Sequence, residues 1–196
     1  FHSQHFKDNT GDWELSEYLG KFSLNSFFEQ NIAYDNEIAK ELAKHAALGD
    51  ILGRGDRHFE NYVICKGHLY PVDISILFWP NNEEWLERYA SANNNECNVV
   101  NCFQSVTDIS VEETHRRFEE YMTIYSDTIK KCETLEPDII ALIHKELKDD
   151  LEIHQKEAYI RDKLSDTNTM ILQTRERNMK SIIESKKRYV YKSLLQ

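Results

Sequence analysis

Breakers are scarce over most of this chain. All six glycines lie at or before Gly67, and Pro71, Pro80 and Pro137 are the only prolines, so the last two thirds are expected to be mostly helical. No apolar run approaches the roughly 20 residues of a membrane-spanning helix, and no signal-peptide pattern is visible. Positive charge is also short. With a net charge of −10, broad electrostatic binding to nucleic acid or anionic lipid is disfavoured, although local basic patches remain open. Cys65, Cys97, Cys102 and Cys132 show no C-x-x-C spacing and read as reduced thiols of a soluble, cytoplasmic protein rather than a disulfide framework. A length of 196 residues allows one domain, or one domain with an appendage, around a sizeable core.

Apolar periodicity supplies the elements. Ile38, Leu42 and Ala46 recur at four-residue intervals, which predicts a helix over 35–48 with Asp35 or Asn36 as its N-cap. Gly49, Gly53 and Gly55 then suit a tight loop. Residues 62–64 and 69–72 read as two short strands joined around Lys66-Gly67, a hairpin that brings positions 61 and 73 back to one end. Between Phe78 and Asp108 the sequence is irregular, with one short helix expected around Trp85, Leu86 and Tyr89. Ser110-x-x-Glu113 is a capping box, followed by a long amphipathic helix marked by Val111, His115, Phe118, Met122, Tyr125 and Ile129. Pro137 suits the first turn of the next helix, whose apolar face of Ile140, Ile143, Leu147, Leu151 and His154 suggests an extension to about Lys163. A break at 165–168 precedes a final helix carrying Ile171, Ile182, Ile183, Val190 and Leu194.

The chemistry concentrates in Leu52-Gly-Arg-Gly-Asp-Arg-His-Phe-Glu-Asn-Tyr-Val-Ile64 and Leu69-Tyr-Pro-Val-Asp-Ile-Ser75. Asp56 is followed five positions later by Asn61, and Asp73 comes a dozen residues further on. Kinase catalytic loops space an acceptor-handling Asp, a metal-binding Asn and a second metal-binding Asp in this way. The wording G-D-R-H-x-x-N over 55–61 resembles the phosphatidylinositol 3-/4-kinase-like superfamily, which includes atypical protein kinases such as the actin-fragmin kinases. A related D-x-H-x-E-N loop occurs in the dehydratase domain of class II lanthionine synthetases. The resemblance covers roughly residues 38–78.

The resemblance implies a mainly α fold with a short β-hairpin: a kinase-like C-lobe core over 1–109 and a helical bundle extension over 110–196. It implies ATP and Mg²⁺ as cofactors. The N-lobe, with the nucleotide-covering loop and its Lys, is expected upstream, and the opening Phe1 in place of Met agrees with a fragment. Asp56 and His58 share the acceptor-handling role, with no choice between them from sequence. Asn61 and Asp73 offer the hard oxygen donors that Mg²⁺ prefers. Plainer readings exist for each: loop bracing for Asp56 and His58, a turn-capping Asn and a solvated Asp for the other two, and a structural ion pair for Arg57.

Two departures from the family bear on function. Asp73-Ile-Ser75 stands where D-F-G is usual, which leaves a catalytically silent scaffold, its helical tail binding a partner, as an alternative. Between Ile74 and Thr114 the only basic residue is Arg88, against Glu83, Glu84, Glu87, Glu96, Asp108, Glu112 and Glu113. Such a segment repels an anionic head group, so a protein or other hydroxyl acceptor is favoured over the alternative of a phosphoinositide. Transfer of another group, such as adenylyl, is a third use of such a site. His2-x-x-His5 reads as a surface cluster, and as a helical metal pair only with further ligands. The basic residues from Arg175 to Lys192 read as a solvated helix face or a contact for an anionic partner.

Overall fold

The computed structural model describes residues 3–8, 11–16, 22–23, 36–54, 61–72, 77–78 and 110–193. In chain order these form strands β1 (Ser3–Asp8), β2 (Gly11–Ser16) and β3 (Phe22–Ser23), helix α1 (Asn36–Leu52), strands β4 (Tyr62–Cys65) and β5 (His68–Pro71), and helices α2 (Val111–Thr134), α3 (Glu136–Glu146), α4 (Ile153–Ser165) and α5 (Thr167–Ser193). The expected class, mainly α with a short β-hairpin, is the observed one among the described residues.

β1 and β2 pair antiparallel, from Ser3 opposite Ser16 to Asp8 opposite Gly11. His5 therefore lies on a strand, opposite Glu14, and not on the helix that a His2–His5 metal pair requires; His2 is outside the described residues. β4 and β5 form the expected hairpin, with Tyr62 opposite Pro71 and Cys65 opposite His68. Lys66 (φ 52°) and Gly67 (φ 79°) both take positive φ, as the two-residue turn matched to strand twist requires. The two residues of β3 add a third, edge strand beside β4.

α1 buries Ile38, Leu42 and Ala46 as expected, together with Ala39, Ala43, Ala47 and Ile51. It runs through Gly49 to Leu52, beyond the expected end at 48, so Gly49 is a helical and not a loop residue. Ile51, one turn beyond Ala47 and 1% exposed, extends the apolar stripe past the glycine and offsets its helix cost of about 1 kcal/mol. Gly53 then ends the helix at φ 58°, the left-handed cap conformation glycine takes without strain. The alanine-rich face lets α2 approach closely, and β5 packs on the same helix.

Ser110 caps α2 by accepting from the Glu113 N–H at 3.1 Å. The Glu113 carboxylate bonds Arg116 and Arg117. Phe118, Tyr121, Met122, Tyr125, Ile129 and Cys132 are buried. Val111 and His115 are exposed, contrary to the expected face, because the buried stripe begins only at Thr114. Pro137 sits in the first turn of α3 as expected, but that helix does not continue to Lys163. The chain turns between 147 and 152, where Asp150 accepts from the Glu152 N–H at 2.8 Å and from Lys156, a local bond that competes with helix. Leu151 is accordingly fully exposed and His154 solvent-facing. α3 and α4 run antiparallel, joined by Arg161 to Glu136 and by His144 to Glu157 at 2.9 Å.

The break at Ser165-Asp166 lies where expected. On α5 Ile182 is buried and Ile171 half-buried, whereas Ile183 is exposed and polar Thr174 and Asn178 are buried in its place. One hydrophobic cluster runs from Ile38 on α1 through α2, α3 and α4 to Ile182 on α5.

Candidate functional site

α1 delivers the chain to the candidate site. The Arg54 N–H closes a turn on the Gly49 carbonyl at 2.8 Å, and the next described residue is Asn61, at the foot of β4. The Val72 N–H donates to the Asn61 carbonyl at 2.9 Å, one step beyond the Tyr62–Pro71 pair. The hairpin register thus sets Asn61 across from Val72, and Asp73 follows Val72 in sequence. Asn61 is 7% exposed. Asp56, His58 and Asp73, with Arg57, lie outside the described residues, as does the helix expected around Trp85.

Arg54 is the residue that sequence reasoning passed over. It is 5% exposed, and a buried guanidinium must be satisfied by hydrogen bonds. Its Nη1 donates to the Tyr62 hydroxyl at 3.1 Å, and its Nη2 donates to the carbonyls of Val72 at 3.2 Å and Asn61 at 3.4 Å. The guanidinium carbon also lies 4.9 Å from the Tyr62 ring centroid. The available signal was a charge between two glycines, at the junction of a buried helix and a loop.

The outer side of the hairpin is held to α1 by two side chains. The Glu41 carboxylate accepts from the Leu69 N–H and from His68 Nδ1. His45 Nε2 meets the Leu69 carbonyl at 3.0 Å, which assigns the proton to Nε2 in the neutral ring. Burial holds the His45 pKa below the usual histidine range, against the raising effect of that bond.

A second polar cluster lies at the end of α1. Asp50 accepts from the Tyr125 hydroxyl at 2.8 Å and from Arg177 at 3.1 Å, while Thr174 donates to Tyr125 at 2.9 Å. Burial, followed by the Asp50 charge, raises the Tyr125 pKa well above the usual range. These groups tie α5 and α2 to the helix that enters the candidate loop. Arg175, a second of the basic residues of α5, bonds Glu119 at 2.8 Å, so part of the basic face is committed to the body of the fold.

Phe78, at φ 58°, donates its N–H to the Leu52 carbonyl at 2.8 Å and sets its ring edge-on to Tyr159 at 6.0 Å. The chain at position 78 is thereby returned to the end of α1. Cys65 and Cys132 are free thiols, while Cys97 and Cys102 lie outside the described residues, and burial raises the pKa of Cys132, which makes it a poor nucleophile. Among the described residues no group of three or more His, Cys, Asp or Glu is placed to hold a metal ion, and no helix is long and apolar enough to cross a membrane. By residue type, Asn61 and Asp73 offer an amide oxygen and a carboxylate, hard donors of the kind Mg²⁺ prefers. No protein-family model and no curated protein matches the chain.

Proposed function

We propose that the chain carries the acceptor- and metal-handling part of an ATP- and Mg²⁺-dependent phosphotransferase of the phosphatidylinositol 3-/4-kinase-like type. The observation that supports this reading best is the hairpin register. With Asn61 opposite Val72, the register sets Asn61 across from the residue that precedes Asp73 in sequence, which is consistent with the catalytic spacing. Asn61 and Asp73 hold the metal and orient the phosphates; Asp56 and His58 orient the acceptor hydroxyl and take its proton. The metal, when bound, neutralises charge on the phosphoryl group. Phosphoryl transfer needs positioning and charge stabilisation more than covalent help, which suits a loop pinned at its foot.

The acceptor is a protein or another neutral hydroxyl. The acidic run after Asp73 disfavours a phosphoinositide, and two of the basic residues of α5 that could offset it are paired with Glu119 and Asp50. The test is to incubate the full-length protein with Mg²⁺ and γ-labelled ATP, offering protein extract and mixed phosphoinositides in parallel. Label on protein is expected; label on lipid alone overturns the acceptor assignment. No transfer from γ-labelled ATP leaves either adenylyl transfer, read with α-labelled ATP, or a silent scaffold.

A further inference from the structure

Arg54 joins three separate pieces of chain at the foot of the hairpin. Its backbone is fixed to α1 through the Gly49 carbonyl at 2.8 Å. Its guanidinium reaches the Tyr62 hydroxyl at 3.1 Å and the Val72 carbonyl at 3.2 Å. The Asn61 carbonyl lies 3.4 Å from Nη2 and also accepts from the Val72 N–H at 2.9 Å. The peptide at 61 is therefore held by a neighbouring strand and by a rigid planar fork that stays charged at any working pH. A lysine retains the charge but, as a single ammonium on a flexible stem, does not reproduce that planar bridge.

We propose that Arg54 is a positioning residue for the metal-binding Asn61, a statement that rests on the phosphotransferase reading above. It touches neither substrate nor metal in this role. By setting the backbone at 61 it sets where the Asn61 amide oxygen is presented. Charge alone predicts something else: a guanidinium near a cation site repels the cation, so it opposes metal binding, and a lysine in its place leaves metal affinity unchanged. Positioning predicts that Arg54→Lys weakens metal binding.

The experiment measures Mn²⁺ binding by electron paramagnetic resonance, with ATP present, on the full-length protein and on its Asn61→Ala, Arg54→Lys and Tyr62→Phe variants, each with its thermal melting curve. Asn61→Ala is expected to weaken Mn²⁺ binding. Arg54→Lys is expected to weaken it about tenfold, the scale of losses when a ligand's supporting partner is removed, while still melting in one transition. Tyr62→Phe, which keeps the ring and removes one anchor of the guanidinium, is expected to shift affinity in the same direction by less. A folded Arg54→Lys with unchanged affinity overturns the proposal; if that variant does not fold, unchanged affinity in Tyr62→Phe does so. Wild-type protein that binds Mn²⁺ no better than Asn61→Ala removes the metal reading itself, and with it any positioning role, which distinguishes the two failures.

Discussion

At the scale of single residues, the polar groups buried around α1 set the sharpest energetic contrasts. Asp50 pairs with Arg177 where both side chains are largely covered, at 12% and 21% exposure, whereas Arg175 and Glu119 are each nearly half exposed. Removing one partner of a covered pair strands the other, so Asp50→Ala is expected to lower unfolding free energy by about 3 kcal/mol. Glu119→Ala is expected to cost under about 1 kcal/mol; chemical denaturation of the two variants checks the difference. His45 supplies a pH dependence. Its folded pKa lies below the unfolded value of 6.5 because the ring is buried, so the unfolded chain binds the proton more readily. The associated stability is present above about pH 6.5 and is lost as pH falls through the folded value. His45→Gln, which keeps a donor for the Leu69 carbonyl without titrating, is expected to flatten the decline in denaturation midpoint between about pH 7.5 and 5.5. An unchanged slope contradicts this. Neither the Arg54 cluster nor the separate Asp50–Tyr125–Thr174–Arg177 cluster was legible in the sequence, since the partners lie on other elements and a polar residue leaves no periodic trace.

At the scale of elements, legibility followed the strength of local signals. The hairpin turn, the Ser110 cap and the Pro137 first turn are written in neighbouring residues, and all three are observed. Boundaries decided by packing were misplaced: α1 passes Gly49 because Ile51 is buried beyond it, and the α3–α4 turn interrupts an apolar pattern that Leu151 and His154 only mimic. The β4–β5 turn yields a direct test. Lys66 holds a positive φ that costs an ordinary side chain roughly 1–2 kcal/mol, so Lys66→Asn is expected to stabilise by up to about 1 kcal/mol. A Cβ added at Gly67 would meet open space, but the backbone there has a φ of 79°. Gly67→Ala is therefore expected to destabilise by roughly 1 kcal/mol through backbone strain alone. Thermal melting of both variants checks the opposite signs.

At the scale of the whole molecule, a single hydrophobic cluster spans α1 to α5, and the helix that leads into the candidate loop is fixed from the far end of the chain through Thr174 and Arg177. The mainly helical class was legible from the lack of glycine after Gly67, the scarcity of proline and the regular apolar spacing of the later segments. The candidate site was legible as spacing alone; of its four proposed residues the structure describes Asn61, which the hairpin register sets across from Val72, the residue before Asp73 in sequence. On the proposed function, Asn61 and Asp73 act together in phosphoryl transfer. The most direct measurement of this is transfer from γ-labelled ATP in Mg²⁺ by the full-length protein and by Asp73→Ala and Asn61→Ala variants whose melting midpoints match wild type. Label is expected to be transferred by wild type, not at all by Asp73→Ala and far less by Asn61→Ala; transfer retained at the wild-type rate in Asp73→Ala contradicts the shared metal role of the two residues.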